Sequence, residues 1–189
     1  MSRKIGIVGV GRMGLVMARR LMAAGYDVAG YRRSVMDDFV AAGGLPAESP
    51  GALAADCNVV IVSVRGEEAV ADVLYGSAGV LPALKPGQIV VETTSLTPAQ
   101  KRAHAEKVVA AGGVLLDCPV SGTPAMLEAG RGAFFVSGDR DMAEDIREVL
   151  EAICPKTTWV GNVGAGAATK SVATALVAIH NLAAAEGLA

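Results

Sequence analysis

Aromatic residues make up only 4% of this 189-residue sequence, with a single tryptophan. That suits close helix-on-sheet packing better than a large all-β sandwich. Neither sign of charge dominates: 17 lysines and arginines stand against 19 aspartates and glutamates, for a formal net charge of −2. With no basic bias and no lysine-rich tract, neither nucleic acid nor a membrane surface is an expected partner. Cysteine is scarce and odd in number, at Cys57, Cys118 and Cys154, and none forms a CxxC. This argues against a disulfide framework and makes the cytoplasm the expected compartment. The two histidines, His104 and His180, lie far apart without ligand spacing, so no structural metal is expected. No stretch of about 20 uncharged apolar residues occurs, so no transmembrane helix is expected. The opening MSRKIGIVGVGR is too short and too glycine-broken to read as a signal peptide.

What is abundant is apolar residue, at 52%, and glycine, at 23 positions. The length allows one full α/β domain and little more. Strand-like runs fall at Lys4–Val8, Val28–Tyr31, Val59–Val64, Gln88–Glu92, Val114–Asp117, Ala133–Ser137 and Thr158–Val160. Helical patterns lie between several of them, at Arg12–Ala24, Val35–Ala42, Glu67–Leu74, Pro98–Ala111 and Met142–Ile153. The strands are continuous apolar runs, as a sheet covered on both faces requires. The alternation predicts an α/β fold: a Rossmann-type, doubly wound, mostly parallel sheet over residues 1–163. From Ala165 to Ala189 the pattern becomes one long alanine-rich helix, read as a separate element over residues 164–189.

The run KIGIVGVGRMG reads as strand, tight turn and helix start, with Gly9, Gly11 and Gly14 forming GxGxxG. Gly9 permits the turn, Gly11 offers no side chain to hold off a pyrophosphate, and Gly14 lets helix and strand pack closely. Arg12 and Met13 open the helix, whose free N–H groups and partial positive charge suit phosphates. A dinucleotide is therefore the expected cofactor. NAD-binding domains usually place an acid at the end of the second strand. Here Tyr31, Arg32, Arg33 and Ser34 stand there, and the one acid read as near them, Asp27, lies at the strand's other end. Two guanidinium groups and a hydroxyl suit a dianionic 2′-phosphate, so NADP(H) is expected, with NAD possible. The competing reading is a solvated loop with two surface arginines.

With these residues on the page, the chain resembles the β-hydroxyacid dehydrogenases, a family that includes 3-hydroxyisobutyrate dehydrogenases, tartronate semialdehyde reductases and glyoxylate/succinic semialdehyde reductases. The segment IGIVGVGRMGLVMARRLMAAGYDVAGYRRS matches the family's cofactor signature, and the resemblance runs over essentially all 189 residues. A second block, Asp117-Cys118-Pro119-Val120-Ser121-Gly122-Thr123, is similar to the family's Asp-Ala-Pro-Val-Ser-Gly-Gly. The resemblance implies that Ser121, Gly122 and position 123 hold a substrate carboxylate; Thr123 replaces a glycine and either narrows the pocket or adds a donor. A third block, Glu92-Thr93-Thr94-Ser95, is similar to Asp-x-Ser-Thr, which places Thr94 and Ser95 near the nicotinamide; otherwise they begin a loop and cap the following helix. Val64 and Arg65 stand where relatives often carry Leu-Pro beside the cofactor.

The fourth block, Gly164 to Lys170, matches Gly-x-Gly-x-x-x-Lys, which makes Lys170 the implied catalytic lysine. Thr174 takes the place of a family asparagine that helps position substrate, and the two share a helix face. The implied activity is an NADP(H)-dependent oxidoreductase, transferring a hydride between nicotinamide and a small 3-hydroxy acid or semialdehyde bearing a carboxylate, with Lys170 as general acid/base. The retained lysine argues against the related imine reductases. Family members continue after this helix into an all-helical domain of roughly 100 residues or more; this chain is expected to end inside the helix joining the two. The alternative function is a non-catalytic nucleotide-binding or dimerisation module. The apolar residues of the last helix make a homodimer through it the expected assembly.

Overall fold

In a computed structural model that describes residues 3–189, the strands expected from the apolar runs assemble into one sheet. Strands β1 (Lys4–Val8), β2 (Asp27–Tyr31), β3 (Leu45–Pro46), β4 (Val59–Val62), β5 (Ile89–Glu92) and β6 (Val114–Asp117) run parallel in the order β3-β2-β1-β4-β5-β6. Beyond β6 the chain reverses: β7 (Val120–Ser121) and β8 (Ala133–Ser137) pair antiparallel, and β9 (Lys156–Gly161) lies parallel to β8. The direction of winding reverses between β1 and β4. In open α/β sheets the ligand crevice opens at the carboxyl ends of those two strands.

Alternate residues of each strand feed two cores. Ile5, Ile7, Ile61 and Val91 pack on one face under helices α1 (Arg12–Ala23) and α8 (Arg147–Ile153). Val8, Val60, Val62 and Val90 pack on the other under α3 (Pro50–Asp56), α4 (Glu67–Tyr75) and α5 (Pro98–Ala110). This two-sided burial explains why the strands read as unbroken apolar runs. Phe39 on α2 (Asp37–Ala41) is fully buried, and its ring lies against the backbone of Gly30 and Gly44, where a Cβ would come within 2.6 and 2.3 Å of it.

Several elements differ from the sequence reading. Strand β4 stops at Val62, freeing Ser63 to Arg65 as a loop. The single helix expected at Met142–Ile153 is two, α7 (Arg140–Asp145) and α8, broken at Ile146 (φ −110, ψ 16). Helix α3 and the short α6 (Pro124–Glu128) join the set; Ser49 and Thr123 cap them through their hydroxyls, with a proline in the first turn of each. Helix α9 (Ala165–Leu188) starts where expected. Against the expectation that no segment could span a bilayer, it is, among the described residues, one helix long and apolar enough to cross a membrane by length and composition. Lys170 and Glu186 interrupt its apolar run, so a search for an unbroken uncharged stretch passes over it.

Candidate active site

The glycine turn is built by contact with β4. Gly9 has φ +100, and a Cβ there would lie 2.3 Å from the Ser63 carbonyl oxygen, so only glycine fits. The Gly9 amide donates to Tyr31 O at 2.8 Å, tying the turn to the end of β2. Gly14 packs against the turn itself, with a Cβ position 2.2 Å from Gly9 O. Gly11 differs, because nothing lies within 4 Å of where its Cβ would be. It is the N-cap of α1 and offers no side-chain cap. Among the described residues no carbonyl takes the N–H groups of Arg12, Met13 or Gly14. Open space in front of Gly11 and free helix-start donors fit a pyrophosphate. A cleft of about 530 Å³ lies there, lined by Gly9, Gly11, Arg12, Met13, Arg32, Ser34, Ser63, Val64, Arg65 and Pro124.

A smaller cavity of about 230 Å³ continues from it between Tyr31, Arg32, Arg33, Val64, Ala69 and Val73. Its apolar floor and cationic rim fit an adenosine. The two arginines differ in freedom. The Arg32 guanidinium donates to Val10 O at 3.0 Å and to Val35 O, and pairs with Asp38 at 2.6 Å. Arg33 is 72% exposed and pairs with Asp72 of α4 at 2.6 Å. The acids beside these arginines are thus Asp38, six residues after Arg32, and Asp72, brought in by the fold, rather than Asp27.

The other end of the edge holds a cleft of about 650 Å³, lined by Ser95, Leu96, Thr97, Pro98, Gln100, Pro119, Ala167, Lys170, Ser171, Thr174, Ala175 and Ala178. Among the described residues, Lys170 is its one charged lining residue. It is half-buried, and loss of solvent pulls its ammonium below the ordinary lysine range. Thr174 stands one turn on, and its hydroxyl donates back to Lys170 O at 2.9 Å. Thr94 is buried, and its hydroxyl oxygen finds no partner among the described residues, an orphan a bound group could satisfy.

Ser121, Gly122 and Thr123 lie on the segment between the two large clefts but line neither; its flanking prolines do, Pro119 the lysine cleft and Pro124 the dinucleotide cleft. The Thr123 oxygen accepts from Met126 N at 3.2 Å, so this residue caps α6. A further group is not legible as a cluster in the sequence, where Glu92 and Asp117 only open two of the blocks and Lys101 belongs to none. Glu92, Lys101 and Asp117 are fully buried together, with Lys101 Nζ paired to Glu92 and, at 3.0 Å, to Asp117. A lysine on a helix reads as a solvated residue, and nothing local marks this one as buried.

The family model that matches residues 4–161 describes the NAD-binding domain of 6-phosphogluconate dehydrogenase. An L-threonate dehydrogenase of Cupriavidus necator is 34% identical over 192 residues, covering 100% of this chain and 65% of that protein. An NAD-dependent L-serine dehydrogenase of Pseudomonas aeruginosa is 32% identical, covering 99% of this chain and 63% of that one. The structure of Mycobacterium tuberculosis 3-hydroxyisobutyrate dehydrogenase with L-serine superposes with a TM-score of 0.92 at 29% identity, over 99% of this chain and 64% of that chain. The chain thus spans a little under two thirds of the length of each. A glycine cradle at the switch point and a family match running from β1 to the end of β9 lead to one conclusion: the chain belongs to the family of the NAD-binding domain of 6-phosphogluconate dehydrogenase, alongside the hydroxyacid dehydrogenases.

Proposed function

We propose that this chain is the cofactor-binding and lysine-bearing part of an NADP(H)-dependent oxidoreductase acting on a small 3-hydroxy acid or the corresponding semialdehyde. The observation that carries this reading is Lys170, half-buried and, among the described residues, the one charged group lining its cleft. L-threonate and L-serine, the substrates in the relatives' names, each bear a carboxylate and a hydroxyl on C3. That chemistry suits a cleft with one cation and several hydroxyls.

When bound, the nicotinamide supplies or accepts the hydride. The helix-start amides of Arg12 and Met13 would hold the pyrophosphate, and Ser95 and the orphaned Thr94 hydroxyl would serve the nicotinamide end. In the oxidation direction, neutral Lys170 takes the proton of the substrate hydroxyl as the C–H hydride leaves and the carbonyl forms. In reduction, the Lys170 ammonium gives that proton to the carbonyl oxygen. A lowered lysine pKa eases the base role in oxidation, and the ammonium remains the proton donor in reduction. Thr174 lines the cleft beside Lys170, and by the family resemblance Ser121, Gly122 and Thr123, on the segment next to it, would complete the carboxylate end.

The preference for NADP(H) over NAD(H) rests on Arg33, Ser34 and the lack of an acid at the end of β2. Arg32 is already committed to Val10, Val35 and Asp38, so Arg33 is the freer ligand for a 2′-phosphate. We further propose that residues 1–163 form the nucleotide-binding domain and that 164–189 begin an all-helical domain. Val172, Leu176, Val177, Ile179 and Leu182 on α9 are all exposed, which supports a covering partner, either that domain or a second copy in a homodimer.

Lys170→Ala tests the central assignment. It should lower turnover at least about 100-fold while leaving NADPH affinity nearly intact, because the lysine serves the substrate oxygen. A variant keeping more than about a tenth of the rate would refute the role.

A further inference from the structure

Helix α9 begins without a cap of its own. Gly164 stands at its N-cap with φ 97 and no side chain to offer. Its first amides bond to the sheet instead. Gly164 N and Ala167 N donate to Asp117 Oδ2 at 3.2 and 3.0 Å, and Gly166 N donates to Ser137 Oγ at 3.0 Å. The Ser137 hydroxyl in turn donates to Asp117 Oδ2 at 3.0 Å. A Cβ on Gly166 would lie 2.6 Å from Phe135 O, so the helix start sits directly on the strand ends.

The other carboxylate oxygen of Asp117 faces Lys101, which also pairs with Glu92 and donates to Glu92 O at 3.1 Å. Glu92 Oε1 accepts from Thr94 N at 2.7 Å, next to Ser95 in the wall of the lysine cleft. One buried cluster therefore braces both walls: the β5–α5 loop through Glu92, and α9 through Asp117. Ala167, the last capped residue, and Lys170 are three apart on one helix face, and both line the cleft. Apart from the cluster, Arg102 of α5 is the charged group set against the capped turn, its guanidinium 2.7 Å from where a Gly164 Cβ would be.

Stability does not require ions here. A well-packed apolar trio often holds a fold as well as a buried ionic one, whereas charges and hydrogen bonds add direction. We propose that Asp117, Ser137 and Lys101 are positioning residues for Lys170, fixing the lysine in its cleft by capping its helix from the sheet. This rests on the reading of Lys170 as the acid/base.

The test uses Ser137→Ala, the mild variant, with Asp117→Asn as the stronger one and Ser137→Thr as the conservative rescue. The first readout is independent of activity: trace acetylation of each lysine by acetic anhydride across the alkaline range, resolved by peptide mass spectrometry. In Ser137→Ala the Lys170 labelling curve should move up toward an ordinary lysine, while the surface lysines stay in place. Turnover should fall about 10- to 100-fold, as a displaced catalytic group implies. NADPH affinity should hold within about twofold, because Ser137 on β8 lies four strands along the sheet from the glycine cradle after β1. Ser137→Thr should restore both the curve and the rate. If Ser137→Ala folds with an unmoved Lys170 curve and wild-type turnover, the positioning role is overturned, whether or not Asp117→Asn folds. A wild-type chain with no turnover on any hydroxy acid counts against the hydride chemistry, and the labelling comparison still decides the positioning role.

Discussion

Two glycines of the cofactor turn should fail in opposite ways when given a methyl group. A Cβ on Gly11 meets nothing within 4 Å, and the residue has φ −80, which alanine adopts freely. Alanine gains about 0.4–1 kcal/mol by restricting the unfolded chain and loses a comparable amount as a poorer N-cap than glycine. The cofactor-free Gly11→Ala protein should therefore melt within about 2 °C of wild type. Its methyl group, however, fills the space in front of the helix-start amides. NADPH binding should weaken at least tenfold, about 1.4 kcal/mol. Gly14→Ala should do the reverse. Its Cβ falls 2.2 Å from Gly9 O and 3.0 Å from Gly9 C, both backbone atoms. An ordinary carbon–oxygen contact is about 3.3 Å, so α1 must lift off β1 by roughly 1 Å. Overpacking of this kind costs about 1–3 kcal/mol, or several degrees for a chain of this size. Thermal melts without cofactor and fluorescence titrations with NADPH separate the two effects. Gly11→Ala binding within twofold of wild type, or Gly14→Ala melting like wild type, would refute the assignment of one glycine to ligand and the other to packing.

Arg33→Ala should weaken NADPH roughly fivefold more than NADH, the scale of an exposed charge-assisted contact, and the difference should shrink with added salt. Equal losses for the two cofactors in parallel titrations would exclude a 2′-phosphate contact. Because burial lowers the Lys170 pKa, oxidation should rise with pH through a limb below the usual lysine value of about 10.4, and reduction should fall through the same limb. A limb that survives Lys170→Ala would assign it to another group. Self-association through α9 should appear in sedimentation at high micromolar concentration and vanish when the chain is cut after Ser171. That cut keeps the turn that satisfies Asp117, which a cut before Ala165 would strip. A monomer at every concentration would exclude α9 as a dimer interface.

The features legible in the sequence are those written in short-range patterns. Strands buried on both faces announce themselves as runs such as VVIV at β4, and GxGxxG marks its own turn. Capping signals are legible as well: Ser49-Pro50 and Thr123-Pro124 each open a helix. The break between α7 and α8 has no such mark, since Ile146 is neither glycine nor proline and is buried at three-residue steps from Ala143 and Val149, as an unbroken helix would also place it. Pairings across the fold are invisible in the same way. Arg33 meets Asp72 from 39 residues away, and Lys101 reaches Asp117 only because α5 folds back over β5 and β6. Thr123, which resemblance assigns to substrate, has its hydroxyl oxygen engaged by the start of α6, a competing use that its sequence neighbour Pro124 foreshadows.

Phe39 gives the β2–α2 connection an unusual independence. Its ring is wedged against two glycine backbones, and Arg32 is bonded back to the cofactor turn, so the stretch between them is anchored at both ends. Arg33, Ser34 and Val35 lie in the open between these anchors, Val35 at 70% exposure. In the function proposed above, Arg33 and Ser34 are the positions here that meet the nucleotide, and substitutions there do not reach the core. Under that proposal nucleotide preference can be rewritten, by mutation over generations or at the bench, as a cassette of two residues, while the fold that presents it stays the same.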